Sequence, residues 1–453
     1  MGVLAISRPV DFLALHAAYP ERYPCLLESV AEGGRSARFD ILFACTGEHL
    51  LSDAAGQLHG QPAPSRGDFL AALADWTAAS KWPETGAQQD TELPFLGGFV
   101  LALGYETAAD IEPSLRLPAA VLGLPRALAL RTPVALIRDR ANGAVFLVSE
   151  PGHAALALRV QADLLDAPVP VATALPAIAA REDDPARFLR GVAQVIEHIA
   201  AGDVFQVNLS RAWRADWPAG ASIAALYAAL CANNPAPFAG LLQWGDFALL
   251  SSSPERLVRV ADGWAETRPI AGTHARAETG ADEQRRRDLI GHPKERAEHI
   301  MLIDLERNDL GRVCVPGSIE VDELMSIESY AHVHHIVSNV RGRLRAGIGP
   351  VEAIRAVFPG GTITGCPKVR CMQIIAALEG EGRGFYTGAL GYLGNDGRMD
   401  LNILIRSLCV HGDELEFRAG AGIVADSIAE RELAETRAKA RGLLAALQLA
   451  PAR

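Results

Sequence analysis

Two stretches of helical period, each with a pair of glutamates three residues apart, constrain this chain more than any other feature. The first, HPKERAEHIMLIDLERNDLGR (292–312), has Ala297, Ile300, Met301 and Leu305 at the spacing of an apolar stripe. Pro293 suits the first helical position, where a missing N–H costs nothing. Glu295 and Glu298 then sit one above the other on a single face. The second stretch opens with Ser427-Ile-Ala-Glu430, a capping box, and carries Glu432, Glu435 and Lys439 on one face. Paired carboxylates repel, so something must offset them. Solvent with nearby basic side chains is one answer. A divalent cation such as Mg²⁺, which takes a few carboxylates and otherwise keeps water, is the other. A solvated face explains either helix alone, but two of them in one chain make that reading less comfortable.

The rest of the chain reads largely as strands and turns. RFDILFA (38–44), FLGGFVLALGY (95–105) and AVFLVSE (144–150) are strand-like apolar runs. CLLES (25–29) reads as a strand entering a turn. PVPVATALPAIAA (168–180) is the best linker, dividing the chain into 1–180 and 181–453. DPARFLRGVAQVIEHIAAGD (184–203) is an amphipathic helix ended by Gly202. VFQVNLSRAW (204–213) alternates, with Phe205, Val207 and Leu209 on one face and Gln206, Asn208 and Ser210 on the other. That polar face reads as solvated. FALLSSSPERLVRV (247–260) is strand, Ser-rich turn and strand, with Glu255 at the bend. WAETRPIAGT (264–273) then brings the Pro269–Thr273 corner near Glu255.

Three histidines in HVHHIVSNVRGRL (332–344) alternate along a strand, which separates His334 from His335 and does not build a zinc site. FPGGTITGCPKVRCMQIIAAL (358–378) is a Gly-rich turn entering a helix. It lacks phosphate-loop spacing, with Cys366-Pro367 where Lys-Ser/Thr belongs, so a nucleotide triphosphatase is excluded. RAGAGIV (418–424) is a second Gly-rich turn whose amides a ligand can approach closely. In YTGALGYLGNDGRMDLNILIRSLCV (386–410), two strands flank an Asn395-Asp396-Gly397 turn. Arg406 falls in the apolar second strand, where a guanidinium needs an anion.

Composition narrows the function classes. No run of about 18 apolar residues is free of charge, and the N-terminal stretch lacks the plan of a signal peptide. The seven cysteines are scattered, with neither C-x-x-C nor zinc spacing, as for reduced thiols in a cytoplasmic protein. A net charge of −11 argues against nucleic acid or an anionic membrane as partner. An anionic substrate would therefore need local countercharge.

From about 184 to 445 the chain resembles the chorismate-utilising enzymes: anthranilate synthase large subunits, aminodeoxychorismate synthase component I, and the isochorismate and salicylate synthases. The matching blocks are GDVFQVNLS, SSPERLV, TRPIAGT, ERAEHIMLIDLERNDLGR, HHIVSNV, FPGGTITGCPKVRCMQII, GALGYL, MDLNILIRSL and AGAGIVADSIAERELAET, in the family's order. The N-terminal part resembles that of the aminating members. The resemblance implies an α+β fold of two packed antiparallel sheets flanked by helices. It implies Mg²⁺ on Glu298 and Glu435, with Glu295 and Glu432 holding the metal's waters. Arg406, Lys439, Thr362, Tyr386 and the amides of Gly420, Ala421 and Gly422 are expected to take the carboxylates of chorismate. Glu255 matches the general acid, His335 a histidine near the ring, and Ala271, Gly272 and Thr273 the neighbouring corner.

Gln206 resembles the aminating members, since the water-adding ones carry a lysine there as base. Within that pair the signals divide. Pro-Ile-Ala271-Gly-Thr has the anthranilate synthase form, without the lysine many aminodeoxychorismate synthases use as a covalent nucleophile. CLLES, through Leu27, Glu28 and Ser29, resembles the tryptophan-site motif of anthranilate synthases. RFDILFA, FPGG, the MDLNI block and the compact length resemble aminodeoxychorismate synthase, and this branch is the expectation, with anthranilate synthase as the alternative. No glutaminase signature is present, so ammonia is expected from a separate glutamine amidotransferase subunit.

Overall fold

The alternating run at 204–213 becomes a strand, Gln206–Asp216, and its partner across an antiparallel ladder is Glu414–Ile423. The computed structural model describes residues 2–31, 38–61, 63–64, 67–80, 92–166, 168–171, 175–275, 293–329 and 333–448. Among these, the strands form two antiparallel sheets, of twelve and eleven strands. Leu242, Leu249 and Phe43 of the first sheet pack with Val100, Leu128 and Leu390 of the second in one apolar cluster. Helices Ile223–Asn233 and Ala429–Leu447 cover the outside of the first sheet, and Phe69–Ser80 and Pro350–Val357 that of the second. This is the expected α+β fold.

Strands from both sides of the 168–180 connector enter both sheets. Cys25–Glu28 pairs with Phe238–Trp244, and Gly98–Leu103 pairs with Ala389–Gly394. Phe247–Ser253 pairs with Ser407–His411 in the first sheet, while Arg256–Ala261 pairs with Met399–Ile403 in the second. At Pro254–Glu255 and again at Leu404–Arg406 the chain therefore crosses from one sheet to the other. The two crossings lie side by side: Ile403 N donates to Glu255 O at 3.0 Å and Ser252 N to Arg406 O at 3.1 Å.

Three local expectations are corrected. Arg406 lies outside the strand, at a crossing and with φ of 52°, because the apolar run NILIRSL changes sheet in its middle. In helix Pro293–Gly311 the buried side is Leu302, Ile303, Leu305 and Leu310 together with His299, Glu306 and Asp309. Ala297 and Ile300 face out, since the helix presents polar groups inward. The last helix starts at Ala429 without a side-chain cap, and Ser427 Oγ instead accepts from Val424 N at 3.1 Å, closing the preceding turn. Helix Pro185–Ala200 forms as read, capped by Asp184 and burying Phe188, Val192 and Val195. No described helix is long and apolar enough to cross a membrane.

Candidate active site

The polar face of the 206–216 strand is buried, not solvated: Gln206, Asn208 and Ser210 are 4%, 9% and 5% exposed. Its apolar face, Val207 and Leu209, packs with Ala421 and Ile423 under helix 185–200, while Phe205 of the expected apolar row is exposed just before the strand. Opposite the polar residues the partner strand supplies small ones, with Asn208 paired to Gly422 and Ser210 to Gly420. A methyl on Gly422 would lie 2.3 Å from Gln206 Nε2, and one on Gly420 would lie 2.7 Å from Asn208 Oδ1 and 2.8 Å from Tyr386 Oη. Glycine at both positions lets these side chains lean over the backbone. Gln206 Nε2 donates to Glu298 Oε1 at 3.1 Å, which brings helix 293–311 to one end of the face. Tyr386 stands at the other end, its phenol pushed up to about 12 by burial.

Glu255 lies at the first crossing, 5% exposed. Burial pushes its carboxyl up to about 8, with like charge from Glu306 adding and the Thr362 hydroxyl, the Ile270 backbone and Lys439 offsetting in part. The Arg406 guanidinium, at the second crossing, has its pKa lowered by burial, with Glu255 as the opposing acid. Among the described residues it has no ion pair. Lys439 Nζ donates to Gly420 O at 3.0 Å and pairs with Glu435 at 2.8 Å. The Ile270 backbone beside Glu255 brings the Pro269–Thr273 corner near the acid, as expected, and Thr362, Lys439 and Arg406 join them. The arrangement offers a buried acid that is largely protonated near neutrality beside an uncompensated cation.

A family model described as chorismate binding enzyme matches residues 25–445. The chain belongs to the chorismate-binding enzyme family. It is 39% identical to anthranilate synthase component 1 of Streptomyces coelicolor over 99% of this chain and 91% of that one. Aminodeoxychorismate synthase component 1 of Bacillus subtilis is 45% identical, over 61% of each chain. Anthranilate synthase component I of Streptococcus pneumoniae superposes with a TM-score of 0.80 at 30% identity, covering 91% of this chain and 93% of that one. The expectation of an aminodeoxychorismate synthase is overturned, since the similarity that runs the full length, and the superposed structure, is to anthranilate synthases. The motifs that favoured the other branch are short blocks, and the full-length comparison outweighs them.

Other residues expected from the chorismate-binding family fall in three places. His335 is buried on strand Val333–Arg343, paired with Thr273, and the ladder shifts register at Gly272. Ala271 is buried opposite Ile336, and the side chains of 272–275 lie outside the described residues. Glu298 and Glu432 are half-buried and Glu435 is exposed, while the Glu295 side chain and His332 lie outside the described residues. These carboxylates are hard oxygen donors on the two helices that reach Gln206 and Gly420, a donor set that suits Mg²⁺. Leu27, Glu28 and Ser29 stand elsewhere, in an open cavity lined also by Phe39, Phe238, Tyr392 and Asn402. It shares no lining residue with the Glu255 centre. Burial, then Asp40, pushes Glu28 up to about 7.

Sequence reasoning missed the support beneath this centre. Arg383 donates to Asn208 O at 2.7 Å, Ile363 O at 3.1 Å and Glu379 Oε1 at 2.7 Å, and its guanidinium lies 5.6 Å from the Tyr386 ring centre. Glu379 also accepts from Ser210 N and Oγ, both at 2.8 Å, and from Arg418 at 3.2 Å. Burial opposes ionisation of Glu379, yet Arg383 and Arg418 hold its pKa below the usual value. Glu379 and Arg383 are four apart, a spacing that in sequence looks like a surface helix pair. Glu306, pushed up to about 7 by burial and then by Asp309, was missed for the same reason.

Proposed function

We propose that this chain is the chorismate-converting component of an anthranilate synthase, using ammonia supplied by a separate glutamine amidotransferase subunit. The observation that carries this reading is the buried acid Glu255 facing Arg406, with only the methyl of Ala271 at the adjoining corner. A methyl cannot act as a covalent nucleophile, so nitrogen adds to the ring directly. The full-length similarity to anthranilate synthases supports the same branch.

Arg406, Tyr386, Thr362, Lys439 and the amides of residues 420–422 bind the two carboxylates of chorismate, and His335 flanks the ring. Glu298 and Glu435 would hold Mg²⁺, with Glu295 and Glu432 around its waters; bound there, the ion neutralises the ring carboxylate. Ammonia forms a bond to C2, the ring double bonds shift, and the C4–O bond breaks. Glu255 gives its proton to that oxygen, which leaves as water, and the added nitrogen, an ammonium on forming the bond, gives up one proton to solvent. Loss of the C2 proton and cleavage of the C3–O bond then release pyruvate and leave the aromatic product.

The test is incubation with chorismate, Mg²⁺ and ammonium, with products assayed by mass. Anthranilate with one pyruvate per chorismate is expected. An aminated product that retains the enolpyruvyl group would overturn the reading. The cavity at Leu27, Glu28 and Ser29, with the aromatic rings of Phe39, Phe238 and Tyr392 and polar groups along its wall, supports a tryptophan site. Tryptophan should raise the thermal midpoint of the free chain, as a ligand of the native state alone must, and no shift at millimolar tryptophan would remove that assignment.

A further inference from the structure

We propose that Glu306 is a positioning residue for Glu255, a second buried carboxyl whose charge keeps the proton on the acid until the substrate takes it. This rests on the reading of Glu255 as general acid and adds the group that holds it in its active form. Glu306 is 6% exposed on the inward side of helix Pro293–Gly311. The Gly361 amide and the Thr267 hydroxyl lie beside its carboxyl. Helix and turn are in close contact there, since a methyl on Gly361 would lie 2.4 Å from Leu305 Cδ2 and 3.3 Å from Glu306 Oε1. Thr362 follows in the same turn, Gly361–Ile363, and its hydroxyl lies beside Glu255. Successive residues of one turn thus meet the two carboxyls, Gly361 at Glu306 and Thr362 at Glu255.

Glu306 acts at this range because no cation is paired with it among the described residues. Lys368 is the cation of the next helix, and its Nζ donates to Asp309 and, at 2.8 Å, to Val357 O. Arg312 pairs with Asp309 at 3.2 Å. Asp309 therefore takes both cations and adds a negative charge of its own. Glu255 has the opposite surroundings, with Arg406 and Lys439 near it. Those cations favour loss of its proton, the wrong form for an acid. Burial opposes them most, and Glu306 is the charge that adds to burial. Two buried carboxyls that feel each other's charge do not both ionise readily.

Packing gives no reason for a carboxyl at this position. Leu302, Ile303 and Leu305 are the buried side chains next to it on the helix, and an apolar residue would extend them. Burying a carboxylate without its own cation is unfavourable. Groups of that kind concentrate where they tune a site. The sign of the effect follows. An ionised Glu306 raises the pH at which Glu255 loses its proton, and a neutral side chain at 306 lowers it.

The experiment is the pH profile of chorismate consumption with ammonium and Mg²⁺, at constant free ammonia, for the wild type and Glu306→Gln. Glutamine keeps the shape and drops the charge, so the basic limb of kcat/KM should move to lower pH by about one unit. A limb that stays in place or moves upward would overturn the proposal. Glu306→Asp keeps the charge and should retain most of the wild-type limb position. A limb lowered equally in both variants would make the effect steric and overturn the proposal as well. Glu306→Met carries the glutamine comparison if that variant does not fold. A wild-type profile without a basic limb near pH 8 refutes the reading of Glu255 as the acid, so the two failures are distinguishable.

Discussion

Burial is what turns Glu255 into an acid suited to a poor leaving group. An exposed glutamate would be ionised at neutral pH and have no proton to give, whereas here desolvation holds the carboxyl up to about 8. The sign follows directly: the active form is the protonated one, so kcat/KM should be flat below about pH 8 and fall above it. The measurement must hold free ammonia constant, because its concentration also rises with pH. A basic limb well below pH 7 would contradict this assignment. Glu255→Gln keeps the shape but not the proton, and should lower kcat by about 10²–10⁴-fold. At Gly422 the expected defect is steric. An alanine methyl would meet Gln206 Nε2 at 2.3 Å and displace the amide from Glu298. Gly422→Ala should therefore cut turnover at least tenfold with little change in thermal midpoint, and unimpaired turnover would show that the Gln206–Glu298 contact is dispensable.

At the scale of elements, the centre depends on strand ends and crossings that only pairing can establish. The alternation in VFQVNLS was legible, and so were the small residues of RAGAGIV and the bend at Glu255. Which side of that alternation faced water was not legible, because Gln206, Asn208 and Ser210 have the same pattern whether solvated or lining a site. The sheet change before Arg406 was hidden inside one apolar run, and the inward face of helix 293–311 was hidden because His299, Glu306 and Asp309 look like surface residues. His299 is buried against Ser338 Oγ at 2.7 Å, with desolvation lowering its pKa to about 4. The Glu379–Arg383 pair was least legible and supports most, joining the 206–216 strand to Ile363 and to Thr387. Breaking one partner of a buried pair leaves an uncompensated charge, at a cost of about 3–5 kcal/mol. Arg383→Leu should lower stability by that order in urea unfolding. A loss under about 1 kcal/mol would mean that Arg418 alone compensates Glu379.

At the scale of the whole molecule, the connector at 168–180 divides the sequence more sharply than the structure. The 238–244 strand pairs with residues 25–28, and the 389–394 strand pairs with residues 98–103. One apolar cluster draws Phe43, Val100 and Leu128 from before the connector, and Leu242, Leu249 and Leu390 from after it. The segment after residue 180 carries every residue assigned to the chorismate centre, so by chemistry alone it would be sufficient. By packing it is not. Removing residues 1–180 would leave two central strands with open edges and strip one side from the cluster between the sheets, which exposes apolar surface and invites aggregation. Residues 181–453 expressed alone should be insoluble, or soluble without a cooperative thermal transition, and should not turn over chorismate. Supplying residues 1–180 as a second chain should restore solubility if the shared sheets are the cause. A cooperative, active 181–453 fragment would refute this and make the N-terminal strands an accessory layer around a self-sufficient catalytic unit.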